Sequence, residues 1–253
     1  MITIHSLLLG IIEGLTEFLP VSSTAHLILT NYFLGYDLNS SFIQVFQISV
    51  QLGAVLAVVF YYFKDLIKLE TIKLLFIGVS PTLIIGFLLK DYIKVLQALP
   101  ILIAYMLMLG GVFMILVEIW YKKQNIKERE VNIKDSIIFG FAQSIAMIPG
   151  ISRSGAVIVT GLIMRYRREI IAKYAFLLAV PTMFAATGYS MIKNKELLIS
   201  NYNNALNLFI GFIFAFLTAL VILKLLIPFV KKYSFIPFGV YRIILGISLL
   251  FLI

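Results

Sequence analysis

Between Phe42 and Phe63 the chain runs without one charged side chain, and comparable apolar runs follow it to the C-terminus. A bilayer's hydrocarbon core is about 30 Å thick and takes about 20 apolar residues of helix to cross. Runs of this length therefore point to membrane-spanning helices. Strands of a membrane barrel would instead show segments of about ten residues alternating in polarity. Six spans are expected, at Phe42–Phe63, Thr71–Leu89, Gln97–Trp120, Ile170–Tyr189, Ala205–Ile227 and Phe235–Ile253. Apolar residues make up 61% of the 253 and charged ones only 13%, which excludes an ordinary soluble domain.

Other classes fall away on composition. The absence of cysteine removes disulfide frameworks, thiolate chemistry and Cys-type metal sites. Up to Thr16 there is no Lys or Arg, so no basic n-region of a cleavable signal peptide is visible. The net charge of +9 is read as basic loops facing an anionic leaflet, not as a nucleic-acid surface.

One polar stretch interrupts the apolar sequence near its start: Glu13-Gly-Leu-Thr-Glu17-Phe-Leu-Pro20-Val-Ser22-Ser23-Thr24-Ala25-His26. A helical pattern over 4–19 puts Glu13 and Glu17 four apart on one face, and Pro20 stops it. Ser22, Ser23 and Thr24 are good N-caps for a second helix, on which Ser23 and His26 share a face. A helix over 4–19 reaches only roughly 24 Å, so the pair is expected to be a re-entrant hairpin with its polar tip inside the membrane.

The layout returns at Gly140-Phe-Ala-Gln143 and Pro149-Gly150-Ile-Ser152-Arg153-Ser154-Gly155. A shift of 130 residues places Gly10 on Gly140, Glu13 on Gln143 and Ser22 on Ser152. The chain is thus expected to be a single membrane domain over 1–253, built from internal repeats at about 1–125 and 131–253. Each repeat is a hairpin plus three spans and ends on the side opposite its start, so the second copy is inverted. The fold class expected is all-α integral membrane with an inverted repeat. The side holding the 121–135 linker collects most of the lysines and arginines, and the other side only Lys90, Lys94, Lys193 and Lys195. The linker is therefore cytoplasmic and both termini face outward.

Two helix N-termini converging at the tips make an anion site, to which Arg153 adds a planar fork suited to phosphate oxygens. Glu13 and Glu17 would repel a phosphate unless one is protonated or a divalent cation, Mg²⁺ or Ca²⁺, lies between. With Ser23 as candidate nucleophile and His26 as candidate acid/base, the constellation reads as phosphoryl transfer in a lipid-facing cavity. Bland alternatives stand beside it. The two glutamates and Arg153 also suit a structural ion cluster, Gln51 and Gln143 suit buried hydrogen-bond partners, and Arg242 suits a brace on helix ends or carbonyls.

EGLTEFLPVSSTAH (13–26) and PGISRSGAV (149–157) resemble the two signature motifs of the bacitracin-resistance type undecaprenyl-diphosphate phosphatases. VQLGAVLAVV (50–59), FLLAVP (176–181) and SFIPFGVYR (234–242) carry the likeness across nearly the whole chain. The resemblance implies a polyprenyl diphosphate substrate, polyprenyl phosphate and inorganic phosphate as products, a divalent cation, and a place in the cell-envelope lipid-carrier cycle. By the resemblance Glu13, Glu17, Ser23 and His26, with Ser152, Arg153 and Ser154, occupy the positions that carry the family's active site. The candidates are thus Glu17, Ser23, His26 and Arg153 as catalytic residues, Glu13 and Glu17 as metal ligands, and Ser22, Thr24, Gln51, Ser152 and Ser154 as substrate contacts. Ala25 stands where the family commonly has glycine, and Val157 where it usually has threonine. The competing function is a transporter or flippase of polyprenyl phosphate. Expected partners are the lipid substrate and the plasma membrane, with the site opening to the exterior. The sequence leaves the oligomeric state open, a homodimer included.

Overall fold

The computed structural model describes residues 1–97, 99–126, 128–199 and 202–252, with side chains 94, 97, 198, 199 and 252 outside that description. Among the described residues the regular elements are helices: α1 Thr3–Thr16, α2 Ser23–Phe33, α3 Ser41–Tyr61, α4 Phe63–Leu66, α5 Leu69–Gln97, α6 Pro100–Tyr121, α7 Ile133–Ile145, α8 Arg153–Ile163, α9 Arg168–Lys193, α10 Lys195–Ile199, α11 Tyr202–Lys232 and α12 Ile236–Leu252. Five of them, α3, α5, α6, α9 and α11, are long and apolar enough to cross a membrane. The sixth expected span is α12, a shorter helix of 17 residues; residue 253 lies outside the described part. Gln97 closes α5 instead of opening α6, because Pro100 supplies the natural first-turn residue of the next helix.

α1 ends at Thr16, short of the expected residue 19. Glu17 caps it with its N–H on the Glu13 carbonyl at 2.9 Å, and the chain then turns sharply through Pro20, with Val21 N–H on Leu19 O at 2.7 Å. Ser22 precedes α2 in the left-handed region, φ 70° and ψ 85°, and its side chain makes no capping bond. The expected hydroxyl cap is therefore absent from the first hairpin, since a left-handed residue does not aim its side chain at the N3 amide. The second hairpin does have it: Ser152 Oγ accepts from Gly155 N–H at 3.1 Å.

The arms α1 and α2 pack together, as do α7 and α8; α1 also lies along α11, α7 along α5, α3 against α9, and α6 against α12. Large apolar side chains such as Phe76, Phe87, Leu88, Phe113 and Leu225 remain exposed on the flanks, as helices facing lipid require. The interior is a single large apolar cluster around α3 and α9, including Phe46, Val50, Phe176 and Val157, and a smaller one where α2 meets α6 and α12. At the basic end of the bundle, Asp65 accepts from Lys68 at 2.8 Å and Lys173 at 2.7 Å, which fastens α4 to α9. The Lys173 hydrogen bond, with Lys68 second, holds the Asp65 carboxyl below its ordinary value.

Close approach of α1 to α11 depends on glycine, because apolar side chains gain nothing from each other over lipid and packing must come from contact. A Cβ at Gly14 would stand 2.6 Å from the Ala215 carbonyl oxygen, backbone that cannot step aside. Gly14→Ala should therefore destabilise the protein by about 1–3 kcal/mol. The readout is thermal unfolding in detergent; an unchanged melting temperature would show that this contact does not limit stability.

Candidate active site

The sharp turn after α1 and the N-terminus of α8 bring together residues that lie far apart in sequence. Arg153, first residue of α8, sets Nη2 2.5 Å from Glu17 Oε1. The other carboxylate oxygen, Glu17 Oε2, accepts from Ser23 Oγ at 2.6 Å. Arg153 Nη2 also reaches Gln51 Oε1 on α3 at 3.5 Å, and Gln51 Nε2 reaches Thr24 Oγ1 at 3.5 Å. Arg153 Nη1 is buried and has no partner. A purely structural ion cluster would have no reason to leave that donor free, since an unsatisfied buried polar group is costly.

These residues border a cavity of about 530 Å³. Its floor is Glu17, Ser22, Ser23, Thr24, Ser152 and Arg153, and its walls come from α3, α5, α7 and α9. The far end lies at the start of α3, beside Ser41, and at the C-terminal ends of α5 and α9, beside Lys90 and Lys193. Apolar wall residues, among them Ile48, Ile93, Met147 and Met183, accompany the polar floor, so the space suits a ligand with a charged head and a hydrocarbon tail.

Several expected site residues take other positions. His26 is not hydrogen-bonded to Ser23. Its Nδ1 donates to the Ser22 carbonyl at 2.8 Å, and with that proton spent, Nε2 of the neutral ring accepts from the Tyr241 hydroxyl at 2.7 Å. The two rings also stack, 5.7 Å apart and 2° from parallel. His26 thus fastens the left-handed turn at Ser22 to α12, and the partner of Ser23 is Glu17. Ser154 is likewise committed, its hydroxyl 3.1 Å from that of Ser152. Glu13 stands behind Glu17, fully buried and off the cavity wall, with neither carboxylate oxygen bonded. Val157 is fully buried in the large apolar cluster, away from the cavity lining, so its missing hydroxyl leaves no gap in the wall.

Sequence reasoning missed Tyr241 as the partner of His26, a contact across 215 positions with only the SFIPFGVYR stretch as its signal. It also missed Gln44, which lines the same cavity as Gln47 and Gln51. Gln143 proves a structural partner, as the bland alternative has it: its Nε2 donates to Thr82 Oγ1 at 3.0 Å and Thr182 Oγ1 at 2.9 Å.

Comparison with known proteins shows the family. Proteins called undecaprenyl-diphosphatase are similar over almost the whole length: that of Campylobacter fetus is 46% identical, covering 96% of both chains. That of Sulfurihydrogenibium is 46% identical over 98% of both, and that of Persephonella marina 47% identical over 99% of both. The family described as bacitracin resistance protein BacA matches residues 6–248, and this chain belongs to that family, as a multi-pass membrane protein.

Proposed function

We propose that this protein is a membrane phosphatase that hydrolyses undecaprenyl diphosphate to undecaprenyl phosphate and inorganic phosphate, returning the lipid carrier to cell-envelope synthesis. The observation that carries the reading is the Ser23–Glu17–Arg153 chain at the cavity floor, with Arg153 Nη1 left free. Arg153 holds the oxygens of the terminal phosphate through its open donor. Ser23 Oγ attacks the terminal phosphorus and passes its proton to Glu17 Oε2, while the bond from that phosphorus to the bridging oxygen breaks and undecaprenyl phosphate leaves. Glu17 gives that proton to the departing undecaprenyl phosphate; as a carboxylate again it takes a proton from the water that attacks the phosphoserine and passes it to Ser23 Oγ as the Ser23–phosphorus bond breaks and inorganic phosphate leaves. A transporter would use Arg153 but has no role for a serine hydroxyl bonded to a carboxylate.

Glu17→Gln and Arg153→Ala should each lower turnover at least about a hundredfold, as removing a charged transition-state contact does. Tyr241→Phe frees Nε2 of His26 and should cost only a few-fold, the scale of one neutral hydrogen bond. Phosphate release from undecaprenyl diphosphate by purified folded protein is the measurement. Near-normal turnover in the first two variants would displace the site.

The same residues suit a divalent cation. Glu13 offers two buried, unpartnered carboxylate oxygens and lies within electrostatic reach of Glu17, Ser23 and Arg153. No group of three or more His, Cys, Asp or Glu side chains with metal-binding geometry occurs among the described residues, so diphosphate oxygens and water would complete the shell. An oxygen-only set of this kind fits Mg²⁺ or Ca²⁺, which when bound neutralises charge on the diphosphate. Excess chelator should abolish phosphate release, and either ion should restore it; full activity in chelator would show that the carboxylates work without a metal.

The two halves are further read as inverted repeats whose hairpins are re-entrant. Support comes from α1 packing on α11 as α7 packs on α5, and from α3–α9 and α6–α12 each pairing counterparts at the 130-residue offset. With the basic linker cytoplasmic, the N-terminus of α3 and the C-termini of α5 and α9 lie outside, and the cavity that reaches those ends opens to the exterior. A single cysteine at Thr24 should then be labelled in intact cells by a membrane-impermeant thiol reagent, and substrate should block it. Labelling only from the cytoplasmic side would reverse the orientation.

A further inference from the structure

Three glutamines, Gln44, Gln47 and Gln51, line the cavity from α3 at spacings of three and four, so they form one stripe along that helix. At about 1.5 Å per residue the stripe covers roughly 10 Å, from Gln51 beside Arg153 to Gln44 near the start of α3. Gln47 Nε2 is buried without a partner, as is Arg153 Nη1 below it. Lys90 and Lys193 stand exposed on the lining at the far end, accompanied by Ser190 and Asn194. Neither lysine joins an ion pair among the described residues; the ammonium of Lys90 contacts only the ring of Phe87, at 5.1 Å from its centre. Among the described residues of the lining Glu17 is the one carboxylate, and Arg153 already pairs with it. The lining at the mouth therefore carries an excess of positive charge between low-dielectric walls, an arrangement that concentrates anions.

We propose that Lys90 and Lys193 form an outer anion station, reached from Arg153 along the Gln51–Gln47–Gln44 stripe, that binds orthophosphate leaving the cavity. The inference rests on the phosphatase reading and its outward opening. On the α3 side orthophosphate freed at Arg153 has the amides of Gln51, Gln47 and Gln44 at successive turns until it reaches the lysines, so it moves between hydrogen bonds beside the apolar wall. The lipid product has no need of the stripe, because its tail stays against the apolar wall. Phosphate at the mouth has two sources, the departing product and the terminal phosphate of an incoming substrate. The first affects product inhibition and the second affects KM.

The test is steady-state hydrolysis by the full-length protein with added orthophosphate. In the double variant Lys90→Gln/Lys193→Gln the inhibition constant for orthophosphate should rise about tenfold, the scale of losing charge-assisted contacts, while KM for the lipid diphosphate stays within about twofold. The double variant Lys90→Arg/Lys193→Arg should restore the wild-type inhibition constant. An unchanged inhibition constant overturns the station and leaves Lys193 as a charge that offsets the C-terminal dipole of α9, visible as a lowered melting temperature. A KM that rises by the same factor as the inhibition constant also overturns it, placing the lysines on the substrate's way in. Wild-type phosphate release and exterior labelling of Thr24→Cys are scored separately, so failure at the lysines is distinct from failure of the phosphatase or outward reading.

Discussion

Four backbone carbonyls converge on the guanidinium of Arg242, and the active-site geometry depends on that convergence. Its nitrogens reach Pro20 O at 3.2 Å, Gly150 O at 3.0 Å, Met106 O at 3.3 Å and Leu107 O at 3.4 Å. The first two carbonyls belong to the turns of the two hairpins and the others to α6. A guanidinium only 2% exposed inside a membrane protein is costly unless its donors are met, and here carbonyls meet them without a carboxylate partner among the described residues. Turn residues have left the helical ladder and carry carbonyls with no partner of their own, so the two needs cancel. Gly110 leaves the space the guanidinium occupies, since a Cβ there would collide with Nη2. One residue back, Tyr241 reaches the first turn by a second route, through His26 to the Ser22 carbonyl. The start of α12 thus holds both turns at once, and the Glu17–Arg153 contact is available only because they are held together.

That dependence separates what was legible in the sequence from what was not. Glu17 and Arg153 stand out because a charge in apolar sequence is expensive and needs a reason, so composition alone marks them. Arg242 stands out for the same cause, and its expected role as a carbonyl brace matches its partners. Which charge meets which is a different matter. Glu17 and Arg153 are separated by 136 positions and His26 and Tyr241 by 215, and no local pattern encodes such distances. Pairing Ser23 with His26 followed from their shared helical face. It failed because a neighbouring carbonyl and a distant phenol hold the imidazole more firmly than a hydroxyl that already has a carboxylate.

The helix boundaries show the same division. Apolar periodicity located the five long helices, whose existence rests on many residues, but misplaced the end of α1, which rests on one turn. The left-handed Ser22 was not foreseeable, since serine is the ordinary choice for an N-cap and its sequence context gives no sign of a positive φ. Its counterpart at the 130-residue offset, Ser152, is extended and caps α8 as expected. Identical residues at matching positions have therefore taken different backbone conformations, one capping the start of α8 and the other bending the chain so that Ser23 can reach Glu17.

The counterpart of Glu13 carries the divergence further. Gln143 occupies the matching place in the second hairpin and spends its amide nitrogen on Thr82 and Thr182, joining α7 to α5 and α9. Glu13 has no such neighbours, and both its oxygens remain unbonded. An amide can donate and so finds partners among hydroxyls; a carboxylate only accepts, and the nearby Ser23 hydroxyl already donates to Glu17. Replacing one by the other would be unfavourable in either direction. Gln143 as a carboxylate would lose its two donor bonds, and Glu13 as an amide would give up the acceptor capacity that a divalent cation would use under the proposed function. Two hairpins of like sequence layout have thus been fixed in unlike roles, one bearing Glu17 and Ser23, the other Arg153, and the cavity between them is the place where all three are present.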